Sequence, residues 1–173
     1  MFDDSFFNFS IFKLASAKDI NSKLYSEYSK LNASDEIKRT HLFNGRYENI
    51  YIKESLIPTV APVLEFAKLC AKEILKTENN LDMGYWFNDM PPGSVTIPHS
   101  HDDDDELLSG AYYIKVPESS GDLVLSNNGD NKTITPIEGQ LILFKPDCVH
   151  EVTINNCDSH RLSIGINFGI KTT

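Results

Sequence analysis

Apolar positions recur along this chain with two periods, and the change falls near residue 80. In residues 16–31, Ile20, Leu24, Tyr28 and Leu31 stand at i, i+4, i+8 and i+11 among polar neighbours. Residues three or four apart share one face of an α-helix, so this spacing predicts a helix with a single apolar stripe. Ser16 with Asp19 supplies its start signal. A second helix is predicted over residues 58–76, with Val63, Phe66, Ala67, Cys70, Ile74 and Leu75 as its stripe. Pro58 and Pro62 fall at its start, where a missing N–H costs little. Ahead of both helices, Phe7, Phe9 and Ile11 alternate as one face of a strand. Residues 32–40 are polar and predict a loop. Asn44-Gly45 then marks a turn before a short strand. There Arg46 and Glu48 suit either a local surface ion pair or, with His41, a segment lying over a site mouth.

From residue 81 the period shortens to two. Segments 84–90, 94–101, 109–116, 121–126, 132–137, 140–144, 149–154 and 161–168 read as short strands. Turn signals such as Pro91-Pro92-Gly93 and Glu138-Gly139 separate them. Many short strands with regular turns indicate a β-sandwich or barrel. Helices followed by strands give an α+β, mainly β chain whose helices buttress one sheet. No repeat or linker divides the 173 residues, so one domain is expected, with residues 1–80 as mainly helical support and 81–173 as the β core. The last segment sorts cleanly by parity. Leu162, Ile164, Ile166 and Phe168 share one face, whereas Arg161, Ser163, Gly165 and Asn167 share the other. That second face suits water or the lining of a polar cavity.

Composition narrows the partners. The net charge of −9 argues against a dedicated nucleic-acid binder, which needs a basic footprint. No apolar run reaches the roughly 18–20 residues of a membrane span. Asp3 and Asp4 stand where a secretory leader would carry basic residues. The three cysteines, Cys70, Cys148 and Cys157, lack zinc-type spacing and read as free thiols of a reducing compartment. A cytoplasmic location is expected.

The chemistry concentrates between residues 90 and 113. His99 and His101 lie two apart on a predicted strand and project to one face. His150 opens a later strand, followed in the next by Arg161. Two ligands from one strand and a histidine from another can hold iron(II) and leave positions open for a bidentate ligand and dioxygen. A 2-oxo acid chelates such an iron through its 1-carboxylate and keto oxygen. Its far carboxylate calls for a bidentate cation, which Arg161 offers better than a lysine, with the Ser163 hydroxyl beside it. The acids at 102–106 read as a solvated run rather than a calcium loop. Asp103 or Asp105 could orient a ligand imidazole.

Residues 84–170 carry a series of short motifs: Trp86 and Asn88; Pro92-Gly93; Pro98-His99-Ser100-His101; Ser109-Gly110-Ala111-Tyr112-Tyr113; residues 138–144; His150-Glu151-Val152; and Arg161 with Ser163. In order and spacing, this half resembles the iron(II)/2-oxoglutarate-dependent oxygenases, in particular a branch of small oxygenases within that superfamily. The resemblance implies a double-stranded β-helix (jelly roll) with N-terminal helices on one sheet. It also implies Fe(II) and 2-oxoglutarate as cofactors, with ascorbate as a supporting reductant. The partners are then 2-oxoglutarate, O2 and an organic or protein substrate that the sequence does not identify. The superfamily usually places His-x-Asp or His-x-Glu before a distal His. Two registers fit here: His99, His101 and His150, or His101, Asp103 and His150. Arg161 and Ser163 are implied on the far carboxylate of 2-oxoglutarate, with Tyr113 as a third contact and Asn88 and Asn167 as nearby polar cavity residues. His41, Arg46 and Trp86 are placed near the substrate mouth.

The expected activity is a dioxygenase, a hydroxylase coupling 2-oxoglutarate decarboxylation to substrate oxidation. Two rivals remain. A cupin-like three-His metalloprotein would bind metal indifferently to 2-oxoglutarate. A non-catalytic β-sandwich binding module would be indifferent to chelators. A nucleic-acid dealkylase is a variant disfavoured by the acidic charge.

Overall fold

In the computed structural model, which describes residues 1–31, 36–101 and 105–170, two antiparallel sheets face one another across a cavity. The elements run β1 (Phe9–Lys13), α1 (Ala17–Lys30), β2 (Lys38–Phe43), β3 (Arg46–Tyr51), α2 (Ala61–Leu75) and β4 (Leu81–Met90). They continue with β5 (Thr96–His99), β6 (Glu106–Lys115), β7 (Leu123–Asn127), β8 (Asp130–Ile134), β9 (Gln140–Phe144), β10 (Val149–Val152) and β11 (Arg161–Ile170). The larger sheet has the order β1-β9-β6-β11-β4-β3-β2, and the smaller β5-β10-β7-β8. From β4 onward the chain passes back and forth between them, as in a jelly roll. All eight strands expected after residue 80 are present.

Parity on β11 decides what each face meets. Leu162, Ile164, Ile166 and Phe168 pack outward with Val63, Ala67 and Ile74 of α2 and Leu24 of α1, forming the main core. On the inner side, Tyr113, Leu123, Leu125, Ile142 and Phe144 form a second core between the sheets. The opposite parity set of β11 lines the cavity. The helices thus buttress the larger sheet and leave its inner face for chemistry. Among the described residues, no helix is long and apolar enough to cross a membrane.

The first 80 residues contribute more strand than their helical stripes suggest. β2 and β3 form a hairpin through Asn44 (φ 47) and Gly45 (φ 80). Positive φ at both positions is the signature of the tight turn that matches strand twist. β3 then joins β4 through Ile50 opposite Phe87 and extends the larger sheet. β1 pairs with β9 as the other edge strand. Only part of its expected face is buried: Phe9 is enclosed, Ile11 is 37% exposed, and Phe7 precedes the strand. The second helix opens with a 3-10 turn at Pro58–Val60 and closes at Lys76 in the left-handed conformation (φ 51).

One buried polar residue joins helix to sheet. Asn21 of α1 donates to the carbonyls of Tyr113 (3.0 Å) and Ile114 (2.9 Å) and accepts from the Tyr112 hydroxyl (2.7 Å). Burial raises the Tyr112 pKa, so this hydroxyl stays protonated and able to donate. Asn21→Ala leaves that hydroxyl without its partner in the core. A loss of roughly 2–4 kcal/mol is expected, because unmet buried groups forfeit their desolvation free energy. A urea midpoint that falls at unchanged slope would verify this; an unchanged midpoint would contradict it.

Candidate functional site

Three histidines converge on the inner side of the smaller sheet. His99 ends β5 and lies opposite His150 of β10 in the strand register. His101 follows two residues later, its backbone N–H donating to Pro146 O (2.8 Å). One nitrogen from each ring can be chosen so that all three lie within 4.8 Å of one another. Ring centroids are 4.2 Å apart for His99–His150, 5.1 Å for His99–His101 and 5.3 Å for His101–His150.

Hydrogen bonds select the tautomers. His99 Nδ1 is 2.9 Å from Ile97 O, and His150 Nδ1 is 3.0 Å from Cys148 O. A carbonyl only accepts, so each Nδ1 carries the hydrogen and each Nε2 keeps its lone pair. Burial, reinforced by the neighbouring His99 and His101, pushes the His150 pKa down to about 3, although the Cys148 carbonyl opposes this. His150 is therefore neutral at pH 7, the form that ligates metals. Among the described residues no carboxylate joins this group. Asp103, the carboxylate of the alternative register, lies outside the described residues.

The cavity's other pole is cationic. Arg161 is only 2% exposed, and its Nη1 donates to Gly121 O (2.8 Å). The guanidinium carbon lies 5.2 Å from the Tyr113 ring centroid. Arg161 Nε and Tyr113 Oη are both buried without hydrogen-bond partners. Burial lowers the Arg161 pKa and raises that of Tyr113. A guanidinium nevertheless stays charged in proteins. Among the described residues Arg161 has no ion-pair partner. An enclosed cation with an unused donor is costly unless an anion meets it. Ser163, the next residue on this face, is also buried and lies between Tyr113 and Asn88 in the register.

Gly121 holds this pole in place through an unusual backbone. Its φ is +98°, and an added Cβ would fall 2.4 Å from Thr153 O. Gly121→Ala is expected to cost about 1–3 kcal/mol in backbone strain and to move the carbonyl that fixes Arg161. Thermal unfolding checks the first effect and anion-binding calorimetry the second.

The cavity encloses about 290 Å³, and both poles line it, as do His41, Trp86, Asn88, Tyr113, Ser163 and Asn167. Trp86 lies over Gly165, where a Cβ would be 2.4 Å from the indole, and its ring is 6.1 Å from that of His101. His41 is exposed, with φ 57, and its Nδ1 is 2.8 Å from Thr40 Oγ1. Arg46 is not among the lining residues. Its guanidinium instead pairs with Glu48 (2.9 Å) and donates to Asn88 Oδ1 (3.2 Å), Val95 O (2.9 Å) and Thr96 Oγ1 (3.0 Å). It braces β3 against β4 and β5 from behind the lining. Glu106, which bonds Asn167, was hidden in sequence within the acidic run.

No protein-family model matches the sequence, and no curated protein matches it. Solved structures do, and they share the jelly-roll fold of the 2-oxoglutarate/iron(II) oxygenases. An oxidoreductase of the 2OG-Fe(II) oxygenase family from Burkholderia pseudomallei aligns at 14% identity and TM-score 0.69, covering 94% of this chain and 84% of that one. A Pseudomonas putida prolyl-4-hydroxylase aligns at 18% identity and TM-score 0.66, covering 95% and 93%. EvdO2 from Micromonospora carbonacea var. aurantiaca, solved with 2-oxoglutarate, aligns at 16% identity and TM-score 0.68, covering 93% and 85%. The likeness is one of fold, and it is the fold the sequence motifs imply.

Proposed function

We propose that this protein is an Fe(II)/2-oxoglutarate-dependent dioxygenase, a hydroxylase acting on an organic or protein substrate. The observation that carries the proposal is the pairing, in one cavity, of three clustered imidazoles with a buried arginine that has no ion-pair partner among the described residues. The Nε2 atoms of His99 and His150, with a nitrogen of His101, suit a divalent iron, and the three-His register is preferred on this ground. When bound, iron(II) supplies an O2-activating centre with room for a chelating 2-oxo acid. Three neutral ligands would leave the ion's charge uncompensated, which would favour an anionic chelating group such as the 1-carboxylate of a 2-oxo acid.

The chain's own groups do the positioning. Arg161 takes the far carboxylate through its Nε and a second N–H, with the Ser163 and Tyr113 hydroxyls beside it. The raised pKa of Tyr113 keeps its hydroxyl a donor. Asn88 presents its Nδ2 on the same side, because its Oδ1 already accepts from Arg46. Leu123, Phe144 and Val152 add apolar lining that restricts water. A structure of the same fold, that of the epimerase SnoN, was solved with Fe3+ and alpha-ketoglutarate, which supports these two cofactors for the site.

The test supplies Fe(II), ascorbate, O2 and 2-oxoglutarate and measures succinate and ligand affinity. Slow succinate release without added substrate and micromolar binding of 2-oxoglutarate are expected. Failure of both would sink the assignment. The three histidines of the described group also suit one alternative, a cupin-like three-His metalloprotein. It predicts metal binding that 2-oxoglutarate does not alter, and it leaves the buried Arg161 without a use.

A further inference from the structure

The hydrogen-bond polarity of the cavity changes from one end to the other. At the Arg161 end the groups on offer are donors, namely Arg161 Nε and Asn88 Nδ2. Asn167 stands six residues along the same face of β11, roughly 20 Å away at the usual strand rise. It pairs with Ser109 in the register, Ser109 pairs with Phe144, and the Phe144 ring lies 4.7 Å from that of His150. Asn167 is thus on the histidine side of the cavity, away from the anion pole.

Its amide orientation follows from its partner. Asn167 Nδ2 donates to Glu106 Oε1 at 2.6 Å. A carboxylate oxygen accepts, so the NH2 group must face Glu106 and Oδ1 must face away. That Oδ1 is buried and has no hydrogen-bond partner. Ser109 Oγ is 3.5 Å from Glu106 Oε2, which directs its hydrogen the same way and leaves lone pairs over. A charged acceptor behind the amide also polarises it and strengthens Oδ1 as an acceptor. Among the described residues, the unpartnered acceptor at this end is Asn167 Oδ1, with the Glu106 carboxylate behind it.

Taking the dioxygenase assignment as its basis, we propose that Asn167 is the specificity-determining acceptor for the primary substrate. That substrate presents an N–H or O–H donor without negative charge: an amine, an amide or a hydroxyl compound. Glu106 is the positioning residue that fixes the amide. Asn167, which the motif resemblance makes a polar cavity residue near 2-oxoglutarate, is in this proposal a contact of the primary substrate.

The test uses the full chain loaded with Zn(II), with and without N-oxalylglycine, and three probes of one skeleton: butylamine, butyramide and butyrate. Binding is read from the Asn167 side-chain amide resonances in wild type and from melting-temperature shifts in all variants. Butylamine and butyramide should bind in preference to butyrate, and Asn167→Leu should weaken both by roughly tenfold. Glu106→Gln frees the amide to rotate and should erode the preference over butyrate. This second variant decides the matter if Asn167→Leu does not fold. Equal or tighter binding of butyrate, no binding of either donor probe, or unchanged affinities in both variants would overturn the proposal. So would a loss in Asn167→Leu confined to Zn(II) or N-oxalylglycine, which would put the acceptor on the metal or cosubstrate instead. Failure of wild type to bind N-oxalylglycine counts against the dioxygenase assignment alone, because probe preference in the Zn(II) protein still decides the subsite.

Discussion

Arg161→Met is expected to weaken 2-oxoglutarate binding about a hundredfold, or ~3 kcal/mol, while metal affinity stays within a few-fold. The magnitude follows from removing one partner of an enclosed, hydrogen-bonded charge pair. Methionine preserves much of the side chain's bulk, so the effect isolates charge and donors from packing. The same substitution makes a second, opposite prediction. The Arg161 guanidinium donates to Gly121 O, and among the described residues its Nε has no partner and no carboxylate pairs with it. Replacing it by an apolar group removes that desolvation burden, so the melting temperature of the ligand-free protein should hold or rise. Calorimetric titration together with thermal unfolding reads both effects. A fall in ligand-free stability with unchanged 2-oxoglutarate affinity would make Arg161 a structural residue and nothing more.

His150→Ala should lower Fe(II) affinity by more than the roughly 10- to 100-fold that loss of an outer hydrogen-bond partner costs a metal site. His150 is the innermost of the three imidazoles, buried where the other two are partly exposed. It lies opposite His99 and also carries the link from β10 to β7. Competition with a chromophoric chelator measures the loss. Cys148→Ala provides a comparison, since it leaves the carbonyl that bonds His150 Nδ1 in place and should keep metal affinity near wild type. Wild-type affinity in His150→Ala would mean that the ion is held elsewhere, with His101 and the acids that follow it as the next set to test.

The β half of this fold was legible because both faces of its strands are committed. β11 shows this most clearly, with Leu162, Ile164, Ile166 and Phe168 against the helices and the alternate residues along the cavity. A period of two is unambiguous when one side meets a core. β2 and β3 lacked that clarity: neither strand has a fully buried residue, so little alternation was imposed on either sequence. Their place in the larger sheet comes from pairing with β4, a long-range contact that local pattern does not encode.

The site divides in the same way. His99, His101, His150 and Arg161 stood out because few residue types can bind metal or a carboxylate. Arg46 had two sequence-level uses, and the ion pair with Glu48 is present while its guanidinium braces strands outside the cavity lining. Asn21 left no trace at all. An asparagine on a helix looks like a solvated residue until the helix is laid on β6. Gly121 was likewise one turn glycine among several, and only the approach of Thr153 O distinguishes it.

Trp86 is the chain's single tryptophan, and it rests on Gly165 with its ring 6.1 Å from His101. Intrinsic tryptophan emission from this protein therefore originates at one point, beside the histidine cluster. A quenching ion seated among those imidazoles would dim the whole tryptophan signal rather than a fraction of it. Titration of the site can thus be followed optically in the unmodified chain, without a label and without knowledge of the substrate.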